Sequence, residues 1–135
     1  MALIDDIKKH EGFSPVVYQC TAGYDTIGFG QRVKYLKVTQ EQAEEWLEEE
    51  LQNLKYILAD KYDWFLPAPQ EVQDIVMNMN YQLGVSAFSK FKKTIKYIKV
   101  KDYKSASTEM LDSKWARDDT PRRAKELSDR MKNIG

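Results

Sequence analysis

Only one cysteine, Cys20, occurs in the 135 residues, so no internal disulfide can form and the fold does not depend on an oxidising compartment. A surplus of either charge is also missing. The 21 Lys and Arg balance the 21 Asp and Glu, giving zero net charge. Dedicated nucleic-acid binders gather cations on a basic face, so this balance argues against a nucleic-acid partner. No apolar run reaches the roughly 18 residues of a membrane span, which argues against membrane insertion. The opening Met1-Ala2-Leu3-Ile4-Asp5-Asp6 lacks the basic segment and apolar stretch of a secretory signal. The expectation is a chain that stays in the cytoplasm until something else releases it. Internal repeats and low-complexity stretches are absent too. What remains is a chain with 42% hydrophobic residues, enough for a core in one domain or in two small lobes sharing a helix.

The periodicity of that hydrophobic content gives the architecture. Leu3, Ile4 and Ile7 mark the apolar face of a first helix over 2–11. Asp5 and Asp6 come early in it and Lys8, Lys9 and His10 late, which complements the helix dipole. Gly12 is the natural stop. Residues 13–38 read differently. Val16-Val17-Tyr18 and Thr26-Ile27-Gly28-Phe29 are β-rich around a turn at Ala22-Gly23, with a third short strand expected over Val33–Leu36. Thr39-Gln40-Glu41-Gln42 is a capping box opening a helix over about 39–61, roughly 33 Å long at ~1.5 Å per residue. Pro67 and Pro69 end this region. The rest, about 70–135, reads as helices alone. One is stopped by Gly84, a short turn-like one covers Ser86–Phe91, and others cover Lys93–Val100 and Asp102–Leu111. The last starts at Thr120-Pro121 with threonine as N-cap. The class is therefore α+β: a single domain with a small β-containing N-terminal lobe, a connecting helix and a helical C-terminal lobe that includes the first helix.

The chemistry-bearing residues cluster early. Glu11, Cys20 and Thr26 lie in His10-Glu11-Gly12-Phe13 and Tyr18-Gln19-Cys20-Thr21-Ala22-Gly23-Tyr24-Asp25-Thr26-Ile27-Gly28-Phe29-Gly30. A carboxyl, eight residues, a thiol, five residues and a hydroxyl supply one acid that can give up a proton and two groups that can attack or hold water. Glu11 at a helix C-terminus faces the negative pole of the dipole, which disfavours its ionised form. Alone it would read as a surface glutamate. Cys20 can act as a thiolate nucleophile, can leave the task to a water held by Thr26, or can simply pack as a small hydrophobe. Thr26 alone is an ordinary strand residue, and its hydroxyl can also position water. Asp25 is the other carboxylate in this loop.

This spacing, ending in Thr-Ile-Gly-Phe-Gly, resembles the active-site segment of phage-type lysozymes, glycoside hydrolase family 24. In that family the pattern is Glu, eight residues, Asp or Cys, five residues, Thr. The C-terminal half resembles the family as well. Asn78-Met79-Asn80-Tyr81-Gln82-Leu83-Gly84 matches its helix ending in a Gln-hydrophobic-Gly turn. Ser113-Lys114-Trp115 with Thr120-Pro121-Arg122-Arg123-Ala124-Lys125 matches the closing segment of the T-even phage members, with one extra residue between Trp115 and Thr120. The resemblance implies catalysis by Glu11, Cys20 and Thr26, with Arg123 paired to the catalytic glutamate. Gln82 and Trp115 are expected to meet, and Tyr81 and Thr94 to contact sugar. Arg32 and Glu109 fall at two more contact positions with changed residue type. Tyr81 and Trp115 also suit core packing, and Arg123 a helix surface.

Two departures stand out. Gln31 replaces the histidine many relatives carry after the Gly-aromatic-Gly run, and the stretch from Gly30 to Thr39 is short. The implied activity is that of an endolysin-type muramidase. It would hydrolyse the β-1,4 bond between N-acetylmuramic acid and N-acetylglucosamine in bacterial peptidoglycan, without metal or cofactor. The protein would be a monomer, released through a holin during host lysis. The alternative is a catalytically silent lysozyme-like module that binds glycan.

Overall fold

The computed structural model describes residues 2–134. Helix α1 covers Ala2–Glu11, and strands β1 (Ser14–Gln19), β2 (Asp25–Gly28) and β3 (Gln31–Arg32) follow. The three strands form one antiparallel sheet in the order β1-β2-β3. Tyr18 stands opposite Thr26 and Thr26 opposite Arg32. The third strand thus falls two residues before the expected Val33–Leu36. The β2–β3 turn is so tight that pairing resumes at Gln31, where the side-chain Oε1 accepts the Phe29 amide at 2.9 Å. Val33–Tyr35 then forms a 3₁₀ turn rather than a strand.

Helix α2 runs Gln40–Lys61. Its capping box forms reciprocally: the Gln42 amide donates to Thr39 Oγ1 at 3.1 Å, and the Thr39 amide to Gln42 Oε1 at 3.0 Å. Then come α3 (Gln70–Leu83), α4 (Val85–Phe88), α5 (Lys92–Lys99), α6 (Tyr103–Leu111), a π-helical turn over Trp115–Asp119, and α7 (Pro121–Lys132). The chain divides into two compact units, Met1–Glu44 and Glu45–Gly135, with the division inside α2.

The hydrophobic core belongs to the second unit. Phe65, Val72, Ile75, Met79, Phe88 and Met110 are among its fully buried side chains, and each contributes ~1.5–3 kcal/mol relative to an exposed position. In the first unit Thr26 is the one buried residue among those described, and Leu3, Ile4 and Ile7 of α1 remain exposed. The expected apolar stripe of α1 exists in the sequence but is not buried.

Candidate active site

Glu11 is the last residue of α1. The Gly12 amide returns to the Lys8 carbonyl at 2.9 Å with φ at 70°, a left-handed stop that ends the helix and sends the chain into β1. The Glu11 side chain lies over the α-carbon of Gly30. A β-carbon built on Gly30 would stand 2.6 Å from Glu11 Oε2 and 2.9 Å from Cδ. Gly30 also has φ 75°, a backbone conformation that calls for glycine, and a β-carbon there would displace the exposed Glu11 side chain. In the sequence Gly30 is only the last residue of the Thr-Ile-Gly-Phe-Gly run. Its role in seating the acid has no signal in composition or period.

Cys20 follows β1 at the head of a closed loop. Its amide donates to the Tyr24 carbonyl at 3.0 Å, and its carbonyl accepts the Gly23 amide at 2.8 Å. The thiol is partly exposed. The backbone amide of Tyr24 first, and then that of Ala22, hold its pKa below the ordinary thiol value. Partial burial opposes them, while the Thr26 hydroxyl and the Arg32 guanidinium add to the lowering. The surroundings of Cys20 therefore favour a thiolate. Thr26, only 2% exposed, donates its hydroxyl to the Tyr24 carbonyl at 2.8 Å. That hydroxyl is thus committed to the loop carbonyl as a donor and keeps its lone pairs for a hydrogen bond from water. Arg32 stacks its guanidinium 4.0 Å over the Tyr24 ring and lines a depression of about 360 Å³ with Gln19 and Asp25. One three-stranded sheet and the helix before it thus carry Glu11, Cys20, Thr26 and Arg32.

The remaining expected residues lie in the second unit, in three groups. Trp115 Nε1 donates to Gln82 Oε1 at 2.9 Å, and Gln82 Nε2 donates to Thr120 Oγ1 at 3.0 Å. Thr120 therefore does not cap α7 with its side chain, as its sequence position suggests, because its hydroxyl is committed to Gln82. The extra residue before Thr120 is absorbed as the π-helical turn, closed by the Thr120 amide on the Trp115 carbonyl at 2.9 Å. The wider turn keeps both ends on Gln82.

Arg123 Nε donates to Asn78 Oδ1 at 2.9 Å, and Nη2 reaches the Asn78 carbonyl at 3.3 Å. Tyr81, half exposed, lines a groove of about 350 Å³ with Arg123, Asn78, Leu47 and Leu51. Asn78 thus holds Arg123, a role that its place in the Asn78–Gly84 run does not signal. Thr94, 2% exposed, and Glu109 line a separate cavity of about 410 Å³ with Lys90, Lys93 and Ser113. Among the described residues no set of three or more His, Cys, Asp or Glu side chains is placed to hold a metal ion.

A helix ending in a carboxylic acid, set on a small antiparallel sheet that bears a thiol and a buried hydroxyl, in an otherwise helical chain, defines a lysozyme-like α+β protein. Residues 8–133 match the phage lysozyme family model, and the chain belongs to that family. It is 32% identical over 114 residues to an endolysin of Acyrthosiphon pisum secondary endosymbiont phage 1, a match covering 82% of this chain and 75% of the relative.

Proposed function

We propose that this protein is an endolysin-type muramidase that cuts the β-1,4 bond between N-acetylmuramic acid and N-acetylglucosamine in peptidoglycan. The observation that carries the reading is the Glu11 carboxyl against Gly30, at the helix end that leads into the sheet whose β1–β2 loop bears Cys20 and whose β2 bears Thr26. Glu11 protonates the leaving glycosidic oxygen. The oxocarbenium-like sugar is then met by the Cys20 thiolate or by a water held on Thr26. Arg32, Tyr81, Gln82, Thr94, Glu109 and Trp115 serve substrate binding, and Arg123, held on Asn78, supports catalysis. Membership of the phage lysozyme family and the likeness to a phage endolysin support this reading.

Among the described residues no helix is long and apolar enough to cross a membrane. The expected course is a monomer that waits in the host cytoplasm, is released through a holin, and then acts on the wall. Loss of turbidity of peptidoglycan-exposed cells tests the activity. The parent should clear them, and Glu11→Gln should clear them at least ~10²-fold more slowly while keeping its fold. A glycan-binding module without catalysis would leave the turbidity unchanged even for the parent.

A further inference from the structure

The 15 residues from Lys90 to Lys104 hold seven lysines and one acid, Asp102, in a chain with no net charge. Helix α5 arranges four of them. At 100° per residue Lys92, Lys93, Lys96 and Lys99 fall within one arc of about 120°, while Thr94 and Ile98 point to the core at 2% exposure each. All seven lysines are exposed. Asp102 is already engaged, accepting the Ser105 amide at 3.1 Å as N-cap of α6. Among the described residues the ion pairs involve Arg117, Lys125 and Arg130, and none uses a lysine of this stretch. Glu109 and Asp112 share the cavity with Lys90, Lys92 and Lys93, but Asp112 is paired to Arg117 at 2.8 Å. Lys96, Lys99, Lys101 and Lys104 lie outside that cavity. Lys101 even holds a left-handed backbone, φ 64°, where glycine is favoured.

The apolar side of α5 is used by the core, so this face cannot insert into an apolar phase. It is a flexible array of point charges, suited to many weakly ordered anions rather than to one planar ligand. We propose that the lysine face of α5 and its margins is a docking surface for the free carboxylates of peptidoglycan stem peptides. The proposal rests on the muramidase reading for its choice of polymer. The substrate carries peptide carboxylates along each glycan strand, and a face that holds them keeps the enzyme on the strand between cuts. Salt weakens such contacts steeply.

The test is co-sedimentation with insoluble sacculi, in a full-length Glu11→Gln background so that the polymer is not consumed. Lys96→Gln, Lys99→Gln, Lys101→Gln and Lys104→Gln combined should weaken binding at least ~10-fold at low salt and flatten its salt dependence. Neutralising Lys37, Lys61, Lys114 and Lys132, an equal loss of charge elsewhere, should leave affinity at the parent level. On glycan strands stripped of peptide the difference between parent and variant should vanish. Circular dichroism checks that both variants fold.

Equal losses from the two sets would overturn the proposal, and so would an undiminished effect on stripped strands. Lysine-dependent binding to vesicles of anionic phospholipid, without binding to sacculi, would also overturn it. The two readings fail separately. A parent that binds through these lysines but never clears cells sinks the muramidase reading alone. A parent that clears cells while the α5 variant binds normally sinks the docking surface alone.

Discussion

Cys20 stands where the family pattern admits Asp or Cys, and its surroundings suit a negative group. Two backbone amides, the Thr26 hydroxyl and the Arg32 cation all favour a negative sulfur. A depressed folded-state pKa means that the fold gains stability from this group above the ordinary thiol pKa. That gain is lost as pH falls through the lowered value. Iodoacetamide labelling of the native protein should therefore reach half its maximal rate at a lower pH than labelling of the urea-unfolded chain. Thr26→Val should move that midpoint upward. Coincident native and unfolded midpoints would remove the thiolate from the mechanism. Cys20→Asp should retain lytic activity and Cys20→Ala should lose it, whereas parent-like activity in both would leave the thiol a packing role only. At Lys101 the left-handed backbone sets a different expectation. Lys101→Gly should stabilise the protein by about 0.5–1 kcal/mol in urea unfolding, because glycine meets no β-carbon penalty there.

Elements whose start and stop signals are local were legible in the sequence. Thr39 and Gln42 form their capping box, Gly12 ends α1, and the β-rich Val16–Tyr18 and Thr26–Phe29 give β1 and β2. Features set by tertiary demand were not. The tight β2–β3 turn moved β3 forward to Gln31–Arg32, and the Gln82 amide took the Thr120 hydroxyl away from capping. The π-helical turn could not be foreseen either, since an inserted residue says nothing of whether the chain loops out or winds wider. For the site, the Glu11-Cys20-Thr26 spacing carried the resemblance to the family that the chain belongs to. Gly30 and Asn78 emerged only from the geometry. Gln82 links α3, the π-helical turn and the start of α7. Gln82→Leu should leave Trp115 Nε1 without its acceptor and cost about 1–3 kcal/mol, with Trp115 fluorescence changing in the folded state. An unchanged unfolding midpoint would mean that water takes over both of its hydrogen bonds.

Across the whole molecule, burial and chemistry are separated. Every buried hydrophobic side chain described lies between Leu58 and Met131, whereas the acid, the thiol and the threonine lie in a unit whose one buried residue among those described is Thr26. Local opening free energies follow buried apolar contact, so the two units should not open together. Amides of α1 and of β1–β2 should exchange with solvent about two orders of magnitude faster than those of α3, α6 and α7, through openings well short of global unfolding. Within the slow set, the Val72–Asn80 part of α3 should be slowest, since Val72, Ile75, Val76 and Met79 are fully buried there. Native-state hydrogen exchange with mild denaturant resolves this, because sub-global openings show a shallow denaturant slope and global ones a steep slope. Protection of α1 equal to that of α3, with the same slope, would mean that the unit bearing Glu11 shares the stability of the core, and its exposed Leu3, Ile4 and Ile7 would then need a partner. Faster exchange would instead fit a catalytic unit that can yield around a bulky, cross-linked glycan while the helical unit holds the fold.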